Sequence, residues 1–124
     1  GTPDPSLLAR WDGLRTQVQS IRIRFVRGGT ELQSDAIAQL AAQMLQALEL
    51  GRMLGRSVTF QVQGWSDEGG SERRNLDLRA RRAHLLQQSL LAAGVPANYL
   101  ILGADDPAPA LPSAGVRWIE GATP

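Results

Sequence analysis

Two short runs in this 124-residue chain change side-chain character at every position. Ile21, Ile23 and Phe25 alternate with Arg22 and Arg24, and Val58, Phe60 and Val62 alternate with Thr59, Gln61 and Gln63. A period of two puts the apolar residues on one side of an extended chain, so each run is expected to be a strand with one buried face. Between them, Ile37, Leu40, Met44 and Leu48 form an apolar stripe at helical spacing, in a segment rich in Ala, Leu and Gln. Ser34 or Asp35 supplies the cap of that helix, over residues 36–50, and Gly51 and Gly55 close it. Strand–helix–strand units favour parallel pairing with a helix covering one sheet face.

The remaining segments extend the pattern. Asp4 with Pro5 opens a short helix over residues 3–14, where Leu7, Trp11 and Leu14 share a face and Gly13 is a candidate terminator. A long helix over residues 71–93 carries Leu76, Ala83, Leu86 and Leu90 inward and stops at Gly94. Tyr99 to Leu102 reads as a short strand, residues 104–114 with three prolines as a loop, and Val116 to Trp118 as a last strand. The expected architecture is an α/β (α+β) two-layer sandwich, two long helices on a small sheet plus the short N-terminal helix. Residues 1–20 are expected to be an extension or linker, and residues 21–124 the domain.

Composition limits the function classes. A chain with 43% hydrophobic and 20% charged residues is ordinary for a globular domain, and a net charge of +1 supplies no whole-molecule field for nucleic acid or membrane. With no cysteine and a single histidine, His84, neither disulfides nor clustered thiolate or imidazole metal sites are available. No apolar run approaches the roughly 20 residues that span a bilayer. The chain opens Gly1-Thr2-Pro3, as expected of an excised domain or a processed product.

The chemistry concentrates in "GWSDEGGSERRNLDLRARRA", residues 64–83, where five arginines and four acids follow a glycine-rich turn. Asp67 sits past a strand end beside Gly69 and Gly70, where backbone amides can approach a ligand. Arg82 lies on the following helix, whose side chains lean back toward the N-terminus. A carboxylate facing a guanidinium across a gap suits a zwitterion: the acid pairs with an ammonium, and the arginine holds a carboxylate through two parallel hydrogen bonds. The other arginines, Arg73, Arg74, Arg79 and Arg81, interleave with Glu68, Glu72 and Asp77 and are expected to be a solvated helix face rather than a nucleic-acid footprint. Trp65 is expected either beside the ligand or in the core. Neither a histidine placed as a base for Ser66 nor a carboxylate pair for glycoside cleavage is apparent, so binding without chemistry is expected, with no cofactor and no metal.

This stretch resembles the C-terminal domain of outer-membrane protein A and its relatives, including Pal lipoproteins and MotB-type stator proteins. Gly64, Trp65, Ser66, Asp67, Gly70, Ser71, Asn75, Leu78, Arg82 and Ala83 stand at the spacings of that OmpA-like pattern, with Leu86, Leu90, Gly94 and Val95 continuing it and Phe25, Leu32 and Leu40 fitting upstream. The similarity spans roughly residues 21–118 and implies the family's OmpA-like fold, a small mixed sheet with two long helices on one face. It implies noncovalent binding of peptidoglycan through the diaminopimelate of the stem peptide, anchoring a periplasmic domain of a membrane-anchored envelope protein of a Gram-negative bacterium. On that resemblance Asp67 corresponds to the residue that pairs with the ligand's amino group, Arg82 to the one that grips its carboxylate, and Asn75 to the brace of the loop. Gly64, Trp65, Ser66, Gly70 and Ser71 complete the ligand-binding set.

The chain departs from the pattern at Arg79, where serine is usual, and at Trp65, where histidine or tyrosine is usual. It departs again at Phe25-Val26-Arg27-Gly28-Gly29, which lacks the family's acid and amide groups, and in "PSAGVRWIE", which lacks an asparagine–arginine pair. The alternative is the same fold with a degenerate pocket, serving as a structural or protein-interaction module among envelope or secretion proteins.

Overall fold

The structure is a computed structural model that describes residues 3–32, 36–66, 69–103 and 112–121. Its elements run in the order α1 (Pro5–Ser20), β1 (Ile23–Arg24), α2 (Ile37–Leu54), β2 (Val58–Trp65), α3 (Glu72–Ala92), a single 3₁₀ turn (Ala97–Tyr99), β3 (Leu100–Leu102) and β4 (Ser113–Glu120). The strands form one mixed sheet in the order β1-β4-β2-β3. β2 is antiparallel to β4 over its whole length, from Val58↔Glu120 to Trp65↔Ser113, and parallel to β3 from Phe60↔Leu100 to Val62↔Leu102. The expected mixed α/β architecture is therefore present, and β2–α3–β3 is its parallel unit. β1 and β2 do not pair, because β4 lies between them.

Val58, Phe60 and Val62 turn the same way and are at most 2% exposed, packed with Leu40 and Met44 of α2 and Leu86 and Leu90 of α3. α2 runs on through Gly51 to a left-handed Gly55, φ 68°, whose N–H bonds to the Arg52 carbonyl at 3.4 Å while that of Arg56 bonds to Gly51 at 2.8 Å. Gly51 is thus an interior helical residue rather than a terminator. A side chain on it would meet the Trp11 ring at 3.1 Å and the Arg56 carbonyl oxygen at 2.6 Å. On α3 the inward leucine near the start is Leu78, while Leu76 is 42% exposed, contrary to the expected face. β4 begins at Ser113, inside the segment expected to be loop.

The N-terminal helix is longer than expected and is built into the core. Asp4 caps it by accepting a hydrogen bond from the Ser6 N–H at 2.8 Å, with Pro5 at the first turn. Trp11, Leu14 and Val18, spaced at three and four, are buried. The Trp11 ring meets Trp118 edge to face at 4.7 Å, and Trp118 meets Phe60 in the same manner at 5.8 Å. Trp11 Nε1 donates to Glu120 at 3.2 Å, and the Gln19 side chain accepts the Trp118 N–H at 3.0 Å, past the point where β1 ends. That contact occupies a donor on the edge of β4 beyond its pairing with β1. Residues 1–20 are thus no detached linker: from Pro5 onward they close the core over β4.

Candidate functional site

β2 delivers its last residues to the site end of the sheet, and α3 returns over them. Gly64 makes this return possible: a side chain there would meet the Arg79 carbonyl oxygen at 2.1 Å and the Ala83 N at 2.8 Å. Its role is to let helix backbone rest on strand backbone, not to open space for a ligand. Strand alternation then sends Trp65 to the opposite sheet face. There its ring lies against Gly115, within 3.2 Å of a Cβ placed on that glycine, and under the Arg22 guanidinium at 4.7 Å. Trp65 is 6% exposed. Its side chain is packing and does not wall the α3 side of the sheet. Burial pushes the Arg22 pKa down.

Ser66 follows, 1% exposed, and its Oγ donates to Asn75 Oδ1 at 2.5 Å. Ser71 caps α3 by accepting the Arg74 N–H on its hydroxyl at 3.1 Å, and its carbonyl accepts from the Asn75 side chain at 3.3 Å. Gly70 occupies φ 107°, a conformation open to glycine, just before that cap. Asn75 thus links Ser66 at the end of β2 to Ser71 at the start of α3. Asp67, the expected ammonium partner, lies outside the described residues.

Arg82 is the centre of the site and is 0% exposed. Its Nε and Nη2 both donate to the Gly29 carbonyl, at 3.0 and 2.8 Å. Nη1 donates to the Trp65 carbonyl at 3.0 Å, and Nη2 also reaches Val26 at 3.5 Å. The Phe25 ring centroid lies 5.5 Å from the guanidinium carbon. The guanidinium, with donors fanned in one plane, ties the loop after β1 to the end of β2.

Two arginines expected to be solvated take part in the same work. Arg74 Nη2 donates to the Gly28 carbonyl at 3.1 Å, and Arg79 Nε to the Ser66 carbonyl at 3.4 Å. For Arg79 the signal was available in the spacing, since positions 75, 79 and 82 lie along one stripe of a helix; Arg74 stands in the first turn of α3, where a side chain leaning toward the N-terminus reaches the loops beyond its start. Arg81 does follow the expected pattern, paired with Asp77 at 3.0 Å on the exposed face.

The arrangement is a set of cationic donors gathered on main-chain carbonyls, suited to holding acceptors and, on exchange, a carboxylate. Among the described residues no group of three His, Asp or Glu side chains could hold a metal ion. Among them, too, no helix is long and apolar enough to cross a membrane. A separate cleft of about 630 Å³ opens at the other end of β2, lined by Leu48, Arg56, Val58, Pro96 and Tyr99 among others. Comparison with known proteins finds no family model that matches the chain and no curated protein that matches it.

Proposed function

We propose that this chain is an OmpA-like domain of an envelope protein that binds peptidoglycan noncovalently, taking the diaminopimelate zwitterion of the stem peptide between Asp67 and Arg82. The observation that carries the reading is the placement of Arg82. Its guanidinium lies where the loop after β1, the end of β2 and α3 converge, bonded to the carbonyl of Trp65, the residue before the Ser66 that bonds Asn75. The mixed sheet with α3 packed over β2 is compatible with the family's architecture. Asp67 stands one residue past Ser66 in the sequence. On this reading the domain works in the periplasm, anchored through the rest of its parent protein, and performs binding without chemistry.

One observation favours the second reading, a structural or protein-interaction module with a closed pocket. Arg82 is fully buried and bonded to the Gly29 and Trp65 carbonyls, so a ligand carboxylate competes with main-chain acceptors for its donors. Titration of isotope-labelled protein with meso-diaminopimelate or a muropeptide separates the two. Peptidoglycan binding shifts amide resonances between Gly64 and Ala83, and their silence at saturating ligand rejects it. Sacculus sedimentation of Asp67→Ala and Arg82→Lys, each checked for native circular dichroism, tests the residues. Wild-type sedimentation by both would move the site elsewhere.

A further inference from the structure

The loop between β1 and α2 presents an unusual acceptor to Arg82. The Gly29 carbonyl oxygen receives both Nε and Nη2, the edge of the guanidinium that binds a carboxylate through parallel bonds. The turn that carries this carbonyl is held on three sides. Gly28 takes φ 79°, the Gly29 N–H bonds to Val26 at 3.1 Å, and the Val26 N–H bonds to Glu31 at 2.8 Å. Phe25 pairs with Leu32 to close the turn at its base. From outside, Arg74 of α3 ties down the Gly28 carbonyl.

We propose that the Gly29 carbonyl is a built-in competitor for the ligand carboxylate at Arg82, that the 26–32 turn is the gate of the site, and that Arg74 is its latch. This rests on the carboxylate-binding reading of Arg82. A carboxylate is the stronger acceptor, because it sets a full negative charge and two oxygens against the guanidinium where the carbonyl offers one oxygen and a dipole. Exchange therefore proceeds once the turn lifts, and the free energy of lifting it is subtracted from the affinity. Arg74 is a positioning residue. It is exposed, so its removal leaves the core intact, yet it sets how firmly the competitor is seated.

The experiment compares wild type, Arg74→Ala and Gly28→Ala by calorimetric titration with meso-diaminopimelate, alongside hydrogen exchange of the 26–32 segment with and without ligand. Arg74→Ala is expected to bind roughly two- to fivefold more tightly than wild type, the equivalent of one exposed hydrogen bond. Gly28→Ala, which strains the turn at positive φ, is expected to bind more tightly still. Ligand is expected to speed exchange at the Val26 and Gly29 amides while the α2 and α3 core amides stay protected. Binding by wild type with unchanged 26–32 exchange and equal affinity in Arg74→Ala overturns the gate and leaves the carboxylate site standing. No binding by any of the three proteins overturns both.

Discussion

Gly64 and the Arg79 carbonyl approach so closely that a Cβ on the glycine would sit 2.1 Å from that oxygen. Both atoms that limit the space are backbone, the Arg79 oxygen and the Ala83 nitrogen at 2.8 Å, so no side-chain rotation can relieve the clash. α3 must move off β2, and Leu78, Ala83 and Leu86 move with it. Gly64→Ala is expected to destabilise the fold by about 2 to 4 kcal/mol, in the range of severe overpacking. Urea unfolding checks this as a lowered midpoint at unchanged slope, and a midpoint equal to wild type would mean that α3 is not seated as described.

Arg82→Met keeps the volume of the side chain and removes every donor. The Gly29 and Trp65 carbonyls then lose their guanidinium partner beside the core, and each buried acceptor left without a partner costs about 1 to 3 kcal/mol. The expected loss is about 2 to 4 kcal/mol, with Arg82→Lys intermediate because an ammonium cannot span both loops. Equal stability of Arg82→Met and wild type in chemical denaturation would show that the guanidinium does not hold these loops together.

The strands and helices were legible because their periods were clean. Val58, Phe60 and Val62 announce a buried strand face, and Leu86 and Leu90 a buried helix face. The errors have a common physical origin in tertiary contact. Gly51 looks like a helix stop until Trp11 needs the space beside it, and Trp11 looks like part of an extension until Trp118 is found beneath it. The site was legible in its motif and less so in its duties. The spacing that singles out Arg82 carries no information about where the Gly29 carbonyl lies, since that is set by a turn 53 residues earlier. Trp65 is open to two readings in the sequence because Gly64 reads as the end of the strand. Once β2 extends to Trp65, its facing follows from that of Val62.

Trp11 is the largest side chain that is fully buried, and it joins α1 to both α2 and β4. Trp11→Ala is expected to cost about 3 to 5 kcal/mol, the range for emptying a buried aromatic site. Removal of residues 1–20 additionally uncovers Trp118 and frees the strand edge now bonded to Gln19. The shortened protein is expected to show red-shifted tryptophan emission and loss of cooperative unfolding. A truncated chain that melts as sharply and as high as the full one would make α1 an appendage after all.

Asp4 gives stability a defined dependence on acid. Its carboxylate accepts hydrogen bonds from the Ser6 backbone N–H and then from the Ser6 hydroxyl, both at 2.8 Å, and these hold its pKa below the ordinary 3.8. A folded value below the unfolded one means that the contribution is complete above 3.8 and is lost as pH falls through the lower folded value. Asp4→Ala removes both the cap and the titration. Its stability deficit relative to wild type is expected to be constant near neutrality and to shrink between about pH 5 and pH 2 as the wild-type carboxylate protonates. Asp4→Asn retains a capping oxygen without a titrating charge, so its deficit is smaller at neutrality and vanishes or reverses in acid. Paired thermal melts across that range provide the check. A deficit of Asp4→Ala that is independent of pH would show that the cap acts without its charge.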